Sequence, residues 1–416
     1  MIETIRVFRN SRAIGRLWLD EDANFTFQYD QDWLDSPDAT PLSLRHPLQS
    51  APIDNDRTRA FFINLLPEQE LKEAVARNLQ IPVTDDFSLL GAIAGDCPGD
   101  ISMYPDNSQP ENEQEYRLLS EADLNKHQER SGWQPLFAGE DGIRLSVSGA
   151  VEKLPVYVDD KGIYLPVGSS PSSHLIKSNL PGFDHSVLNE SFCTELARKI
   201  GLPVLDGVLQ DNIYLVSRCD RLRTKDGHIT RIYQEDFCQL LDIAPEIKSE
   251  KDGGASLKQC FDIVRRYSAS PAIDMNLLLK WVLFSYLIGH QDATAKNLAF
   301  VWTPDGPRLA PFSDIISDAV YHGAGQPLAM SIGSEDRPSW IVTRRWESFA
   351  KEVNIKPRYV VLTLDDMARQ IAGLAECLVR EQFAEYGSDG IVASILQIIR
   401  TRSRNVLNNL KASSTH

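Results

Sequence analysis

The sequence predicts an α+β fold with two lobes and an additional N-terminal subdomain, because strand-like and helix-like segments occur in separate blocks. Alternating apolar residues predict three strands near the start, and helical patterns follow around residues 57–94. Further strand patterns occupy the middle of the chain, whereas residues 257–410 are dominated by helical patterns. The predicted parts are an N-terminal subdomain (1–105), an acidic linker or loop (106–116), a strand-rich lobe (117–247) and a helical lobe (248–416).

The composition is that of a globular protein and argues against several other classes. The chain has 416 residues, of which 42% are hydrophobic, so it can bury a large core. Its 43 basic and 58 acidic side chains give a net charge of −15, which disfavours direct, non-specific DNA binding. The six cysteines form no C-x-x-C pair, and we expect them to be reduced in a cytoplasmic protein. No leader peptide or membrane-spanning run is recognisable.

A small polar loop and a lysine-bearing strand are the first candidate functional elements. Residues 144–150, termed the phosphate loop, read Arg-Leu-Ser-Val-Ser-Gly-Ala. Main-chain N–H groups in such a loop can approach phosphate oxygens, as they do in glycine-rich loops. A predicted hairpin over 154–167 follows, and Lys177 then ends an apolar strand. From that place a lysine can reach nucleotide phosphates, although the local sequence alone fits a solvated lysine equally well.

A helix and a second group of strands come next. Leu188, Phe192, Leu196 and Ile200 form an apolar stripe with helical spacing, which we expect Ser186 to cap. Glu190 lies in the first turn of this helix. It could pair with Lys177, or its carboxylate could interact favourably with the helix dipole without any functional role. Strand patterns lie near 204–209 and 213–217, and residues 229–237, termed the hinge, occupy the place where an adenine ring would meet the main chain.

The most informative segment follows an apolar core helix predicted at 277–288. Residues 289–297, termed the catalytic loop, contain Asp292, Lys296 and Asn297, and Asp314 follows after a short strand. Phosphoryl transfer from ATP needs this set, because one Asp accepts the proton of the attacking hydroxyl while Asn and a second Asp hold magnesium. The spacing Asp-x(4)-Asn is that of protein kinases, but alone it also fits a polar loop after a buried helix.

Together these segments resemble the HipA-type serine/threonine kinases, a family of bacterial toxins, over nearly the whole chain. The implied fold is therefore a two-lobed, protein-kinase-like α+β fold with a helical C-terminal lobe. The matching segments are 15–17, 41–44, 61–67, 95–97, 146–153, 189–190, 202–204, 234–239, 292–297 and 311–315.

The resemblance implies a role for each matching residue. Asp292 becomes the catalytic base, with Lys296 beside it, and Asn297 and Asp314 become the Mg²⁺ ligands. The residues implied in ATP binding are Lys177, Ser148, Gly149, Ala150, Gln234, Glu235 and Phe237. The residues implied in autophosphorylation are Ser146 and Ser148.

The resemblance also implies partners. The substrate class is an aminoacyl-tRNA synthetase, and the regulator is a HipB-like helix-turn-helix antitoxin through which any contact with DNA would run. Three departures from the family pattern stand out. Thr294 replaces a frequent histidine in the catalytic loop, Val151 replaces a common Gln, and Ser148 replaces Ala, so that the phosphate loop carries two hydroxyls.

Two alternatives remain at this level. One is a kinase of the same fold with a different target. The other is a catalytically weak co-repressor that acts through its DNA-binding antitoxin. The presence of Asp292, Asn297 and Asp314 favours an enzyme, because a binding module has no use for this set.

Two helix starts are predicted in the C-terminal part of the chain. Thr363 is expected to cap one helix, and Ser388 is expected to cap the last. Ile395, Ile399 and Val406 are expected to face the core from that last helix.

Overall fold

A computed structural model describes residues 4–111, 113–124, 135–149, 153–180, 182–210, 212–386 and 390–413. The chain divides into two compact units, which are described separately. The first unit comprises Met1–Ser178, Leu215–Glu246 and Ala299–Pro304. The second comprises Asn179–Tyr214, Ile247–Leu298 and Asp305–His416.

Strands and helices are numbered separately in chain order. The strands are β1 Thr4–Arg9, β2 Arg12–Leu19, β3 Phe25–Tyr29, β4 Ile101–Pro105, β5 Glu115–Leu118, β6 Lys153–Asp159, β7 Gly162–Val167, β8 His174–Ser178, β9 Gly207–Gln210, β10 Ile213–Ser217, β11 Arg221–Arg223, β12 Ile229–Arg231, β13 Gln234–Asp236, β14 Ala299–Thr303 and β15 Gly306–Leu309. The helices are α1 Gln31–Leu34, α2 Asn55–Ile63, α3 Gln69–Leu79, α4 Asp86–Ile93, α5 Ser186–Lys199, α6 Phe237–Leu240, α7 Leu257–Tyr267, α8 Pro271–Ile288, α9 Ala319–His322, α10 Thr343–Glu352, α11 Pro357–Gln382 and α12 Ile391–Ser413.

The first unit begins with a four-stranded antiparallel sheet in the order β3-β2-β1-β4. The alternating apolar residues of β3 point to a core that includes Phe27, whose ring lies 5.9 Å from that of Phe62 on α2. Asp54 caps α2 by accepting a hydrogen bond from the N–H of Arg57, which fixes where this helix starts. The three strands predicted at the start of the chain are confirmed.

A second sheet carries the phosphate loop and the lysine strand. Within this unit its order is β5-β7-β6-β8-β10. The β6–β7 hairpin turns at Asp160 and Lys161, where the carboxylate of Asp159 accepts hydrogen bonds from the N–H groups of Lys161 and Gly162. Strand β8 then runs antiparallel to β6 and ends next to Lys177, as the sequence predicts.

A buried ionic cluster joins the N-terminal sheet region to the strands before the hinge. Asp96 accepts hydrogen bonds from Arg218, Arg221 and Arg231, and Asp220 pairs with Arg218 and Arg221. These five side chains are buried, so each charge depends on its partners rather than on water. The cluster therefore connects segments that are far apart in the sequence but lie in the same unit.

The second unit is built mainly from helices around α8. Pro271 occupies the first turn of this helix, and Gly289 ends it with a φ of +85°. A Cβ atom at Gly289 would lie 2.8 Å from the Cβ of Ala319, so only glycine fits. By length and composition α8 could span a membrane, but 61% of it is buried inside the protein, as in a core helix.

Two predicted helix caps differ from the structure, and a third cannot be compared with it. Helix α11 runs unbroken from Pro357, so Thr363 lies within it and its hydroxyl donates to the carbonyl of Tyr359 rather than capping a helix. The N-cap of α5 is His185 rather than Ser186, whose hydroxyl accepts from the N–H of Leu180. Ser388 lies outside the described residues. The inward stripe of Ile395, Ile399 and Val406 is confirmed.

Candidate active site

The catalytic loop starts where α8 ends, and its main chain is held by a buried carboxylate. The N–H groups of Gln291 and Asp292 each donate to Asp318, both at 2.7 Å. The side chain of Asp292 itself is exposed, whereas that of Asp318 is buried. An exposed carboxylate on a fixed main chain is the arrangement that a general base requires.

Asn297 lies at the end of a single helical turn, Ala295–Asn297, at the close of the catalytic loop. Its side-chain oxygen accepts from the N–H of Thr294 at 2.9 Å, and Lys296 beside it is half-buried. The same oxygen also accepts from the hydroxyl of Thr294 at 3.3 Å, so a cation bound by Asn297 would replace this longer hydrogen bond.

Asp314 has a left-handed main chain, with a φ of +54°, and the hydroxyl of Ser313 donates to its carboxylate at 3.2 Å. Few non-glycine residues adopt this conformation, and they concentrate at functional sites. The segment that follows is anchored by Asn189, whose side chain exchanges two hydrogen bonds with the main chain of Ser317. The ring nitrogen Nδ1 of His290 lies 2.7 Å from the carbonyl oxygen of Ile316 and 3.1 Å from its main-chain nitrogen, and it can hydrogen-bond to one of them at a time.

Asp318 and Asn189 were not predicted to contribute to the site. Both are buried polar side chains: Asp318 accepts from two main-chain N–H groups of the catalytic loop, and Asn189 binds the main chain of the segment after Asp314. A possible signal in the sequence was an Asp in an apolar stretch four residues after Asp314, but spacing alone does not reveal its distant partners.

The oxygen donors of the second unit suit magnesium better than a transition metal. No cluster of three or more His, Cys, Asp or Glu side chains capable of holding a metal occurs within the described ranges. Mg²⁺ usually takes one or two protein oxygens and completes its shell with water and substrate phosphates. Asn297 and Asp314 provide such a sparse oxygen set, so these residues fit the ion that the sequence implies.

The phosphate loop lies in the first unit and is braced by the N-terminal subdomain. Ser146 is fully buried, and its hydroxyl donates to the carbonyl of Leu65 at 2.6 Å. The carbonyl of Gly149 accepts from the N–H of Glu68 at 3.2 Å, and Gly149 has a φ of +102°. Ser148 is half-buried, whereas Ala150 lies outside the described residues.

Two lysines face each other beside this loop. Lys153 on β6 lies directly opposite Lys177 on β8 in the antiparallel register, and both side chains are buried. A Cβ atom at Gly149 would lie 3.8 Å from the ammonium nitrogen of Lys153. Opposed like charges repel each other, so this pairing concentrates positive charge where a polyphosphate would be attracted. Lys153 matched the family pattern in the sequence but was not predicted as a site residue.

In the hinge, the side chain of Glu235 is hydrogen-bonded to the N-terminal subdomain. The carboxylate of Glu235 accepts from the hydroxyls of Ser43 and Tyr233 and, at 3.2 Å, from the N–H of Leu44. Glu235 is fully buried, and this burial raises the pKa of its carboxyl to about 7. Any contact of Glu235 with a nucleotide must therefore come from its main chain.

The other two hinge residues differ in their surroundings. Gln234 is half-buried, and its side-chain oxygen accepts from the thiol of Cys219 at 3.4 Å. Phe237 is fully buried, with its ring 5.2 Å from that of Phe300. The Phe237 ring thus belongs to the core under the hinge, and only its main chain is placed for a polar contact.

The fold is that of the protein-kinase-like class. The structure superposes on HipA in the complex of Shewanella oneidensis HipA, HipB and operator DNA with a TM-score of 0.84, at 24% identity and 99% coverage of each chain. This match establishes the fold.

Sequence comparison gives the family. A HipA N-terminal domain model matches residues 5–104, and a HipA-like C-terminal domain model matches residues 145–374. The chain is 32% identical over 388 residues to the Sinorhizobium fredii protein Y4mE, whose name describes it as a kinase, covering 90% of this chain and 92% of that protein. It is 27% identical over 385 residues to the serine/threonine-protein kinase toxin HipA of Shewanella oneidensis, covering 88% and 87%. The chain belongs to the HipA family.

Proposed function

We propose that this protein is an ATP- and Mg²⁺-dependent serine/threonine-protein kinase. The observation that carries the proposal is the exposed carboxylate of Asp292 on a catalytic loop whose main chain is fixed by Asp318. Kinase chemistry depends chiefly on positioning and charge stabilisation, so an exposed carboxylate on a fixed loop suits it. Relatives named as kinases over nearly the whole chain support the same function.

In the proposed reaction Asp292 orients the substrate hydroxyl and accepts its proton. A bond forms between the substrate oxygen and the γ-phosphorus, while the bond from that phosphorus to the β-phosphate oxygen breaks, leaving ADP. Lys296 offsets charge on the transferred group. Asn297 and Asp314 would hold Mg²⁺, which neutralises charge on the phosphates when bound.

The nucleotide would be held by groups of the first unit. Lys177 and Lys153 attract its phosphates, and the N–H groups of the phosphate loop, including Ser148 and Gly149, approach them. The main chain of the hinge residues Gln234, Glu235 and Phe237 would meet the adenine edge. Ser146, Ser148 or both would be autophosphorylated.

We further propose that the protein is the toxin of a type II toxin–antitoxin pair and acts in the cytoplasm. The structural match to HipA in a complex with HipB and operator DNA supports a HipB-like antitoxin as partner. The net charge of −15 supports contact with DNA through that partner rather than directly. An aminoacyl-tRNA synthetase is proposed as substrate on the family resemblance alone.

Phosphoproteomics of cells expressing the chain without an antitoxin tests this proposal. We expect new phosphoserine or phosphothreonine sites with the wild type and none with Asp292→Asn. Phosphorylation sites on a synthetase would support the proposed substrate. Sites on another protein would identify that protein as the substrate instead. If both forms produce no sites and both still repress an antitoxin-bound promoter, the protein acts as a co-repressor.

A further inference from the structure

The N-terminal subdomain contacts the hinge at several successive positions. Besides the bonds from Ser43, Leu44 and Tyr233 to Glu235, Arg45 pairs with Asp242 at 2.8 Å just beyond α6. All lie within the first unit. The bond from Tyr233 is internal to the hinge, whereas those from Ser43, Leu44 and Arg45 link residues about 190 to 200 positions apart in the chain.

Helix α2 adds contacts to the same region from another direction. The side chain of Gln239 on α6 donates to the carbonyl of Phe61 at 3.0 Å, and the side chain of Asn64 donates to the carbonyl of Ile243 at 2.8 Å. One residue further on, the carbonyl of Leu65 accepts from Ser146 of the phosphate loop. The end of α2 therefore touches both the chain after the hinge and the phosphate loop.

The side chain of Glu235 is completely enclosed, and these bonds hold it in place. Its main chain pairs with β14, where Glu235 lies opposite Phe300. Three donors on a buried carboxylate fix the side chain, and a fixed side chain restricts the main chain that carries it. Loss of one donor would leave part of a buried carboxylate unsatisfied, which is costly enough to displace the strand.

We propose that Ser43 is a positioning residue for nucleotide binding: through Glu235 it holds the hinge main chain where that chain receives the adenine. The N-terminal subdomain is thus part of the nucleotide-binding apparatus rather than an attachment to it. This inference rests on the proposed kinase function. It predicts that Ser43 affects recognition of the adenosine part of ATP, whereas Lys177 affects recognition of the phosphates.

Calorimetric binding of adenosine and of ATP to the purified full-length chain tests the inference. We expect Ser43→Ala to weaken binding of both ligands by a similar factor of about five or more. Lys177→Met is expected to weaken ATP binding while leaving adenosine binding unchanged. In steady-state assays Ser43→Ala should raise KM for ATP and leave kcat within about twofold.

Ser102→Ala is the matched control. Ser102 is a fully buried serine of the same subdomain, and its hydroxyl has no hydrogen-bond partner among the described residues. Removing it deletes the same atom without touching the hinge, so adenosine affinity should stay at the wild-type value. If Ser43→Ala does not fold, Arg45→Gln provides a second test, because Arg45 is only half-buried and contacts Asp242 rather than the core.

The outcomes separate this inference from the function on which it rests. If the wild type binds ATP and adenosine but Ser43→Ala binds both equally well, Ser43 has no positioning role. An equal loss of affinity in Ser102→Ala would also overturn the inference, because the effect would then be a general one of the subdomain. If the wild type binds neither ligand, the proposed kinase function itself is wrong, and the inference with it.

Discussion

Two aspartates near the catalytic loop have different surroundings and therefore different roles. Asp292 is exposed and can meet a substrate, whereas Asp318 is buried and binds two main-chain N–H groups. The spacing of Asp292, Asn297 and Asp314 makes them candidate site residues in the sequence. Asp318 was not predicted, because its contacts depend on how the chain folds back 26 residues later.

We expect Asp318→Asn to lower kcat by about 10- to 100-fold, because an amide offers only one acceptor to two N–H groups and the base would shift. Steady-state kinetics with Mg·ATP measures this effect. Asp305→Asn, at an exposed turn of the same unit, is the control and should retain full activity. An Asp318→Asn variant as active as the wild type would show that the loop keeps its position without this carboxylate.

Glu235 gives a prediction for the pH dependence of stability. Burial raises its pKa from 4.5 to about 7 in the folded protein. Between these values the folded state keeps a proton that the unfolded state has lost, so the stability contributed by this group falls as pH rises. The total change is about 3 kcal/mol. Glu235→Gln should therefore gain stability relative to the wild type from pH 5 to 7, measured by urea unfolding. If the difference in free energy of unfolding between Glu235→Gln and the wild type does not change with pH, the pKa of Glu235 is not raised.

At the scale of elements, alternating apolar residues predicted the first three strands, and an almost wholly apolar run predicted α8 from residue 277, six residues after its observed start. Helix starts were predicted less well. Pro357 in the first turn starts α11, and Thr363 can sit inside the helix because its hydroxyl bonds back to Tyr359. A single sequence can thus contain several residues that favour a helix start, here Pro357 and Thr363, and it does not show which of them begins the helix.

We expect the phosphate loop to act as a switch, because Ser146 is enclosed in the present conformation. Its hydroxyl is bound to Leu65, so a phosphate of about −1.5 to −2 charge cannot be added until the loop leaves this place. Once modified, the loop should not return, and activity should fall. Mass spectrometry after incubation with Mg·ATP, with Ser146→Ala, Ser148→Ala and the double variant, measures the modification. Unmodified serines in a protein that still phosphorylates its substrate would exclude self-inhibition.

At the scale of the whole molecule, the buried cluster around Asp96 connects distant parts of the chain within the first unit. Burial acts to raise the pKa of Asp96, but the guanidinium groups of Arg221, Arg218 and Arg231 outweigh it and hold the pKa below its ordinary value. None of these contacts could be predicted from the sequence, because Asp96 is more than 120 residues from each arginine.

We expect Asp96→Asn to destabilise the protein by about 3 to 5 kcal/mol, because three buried arginines lose a shared counter-charge. Thermal unfolding followed by circular dichroism measures the change. Asp38→Asn removes an exposed carboxylate from the same subdomain and should alter stability by no more than about 0.5 kcal/mol. If Asp96→Asn and Asp38→Asn have the same melting temperature, the cluster does not stabilise the unit.

Transfer of phosphate from Mg·[γ-³²P]ATP by the purified chain tests the central claim most directly. The wild type should incorporate label into itself or into substrate protein. Asp292→Asn and Asp314→Ala should each lower the rate by on the order of 10³-fold while retaining the melting curve of the wild type. No transfer by the wild type, or near-wild-type transfer by Asp292→Asn, would contradict the assignment of this site as the active centre of a kinase.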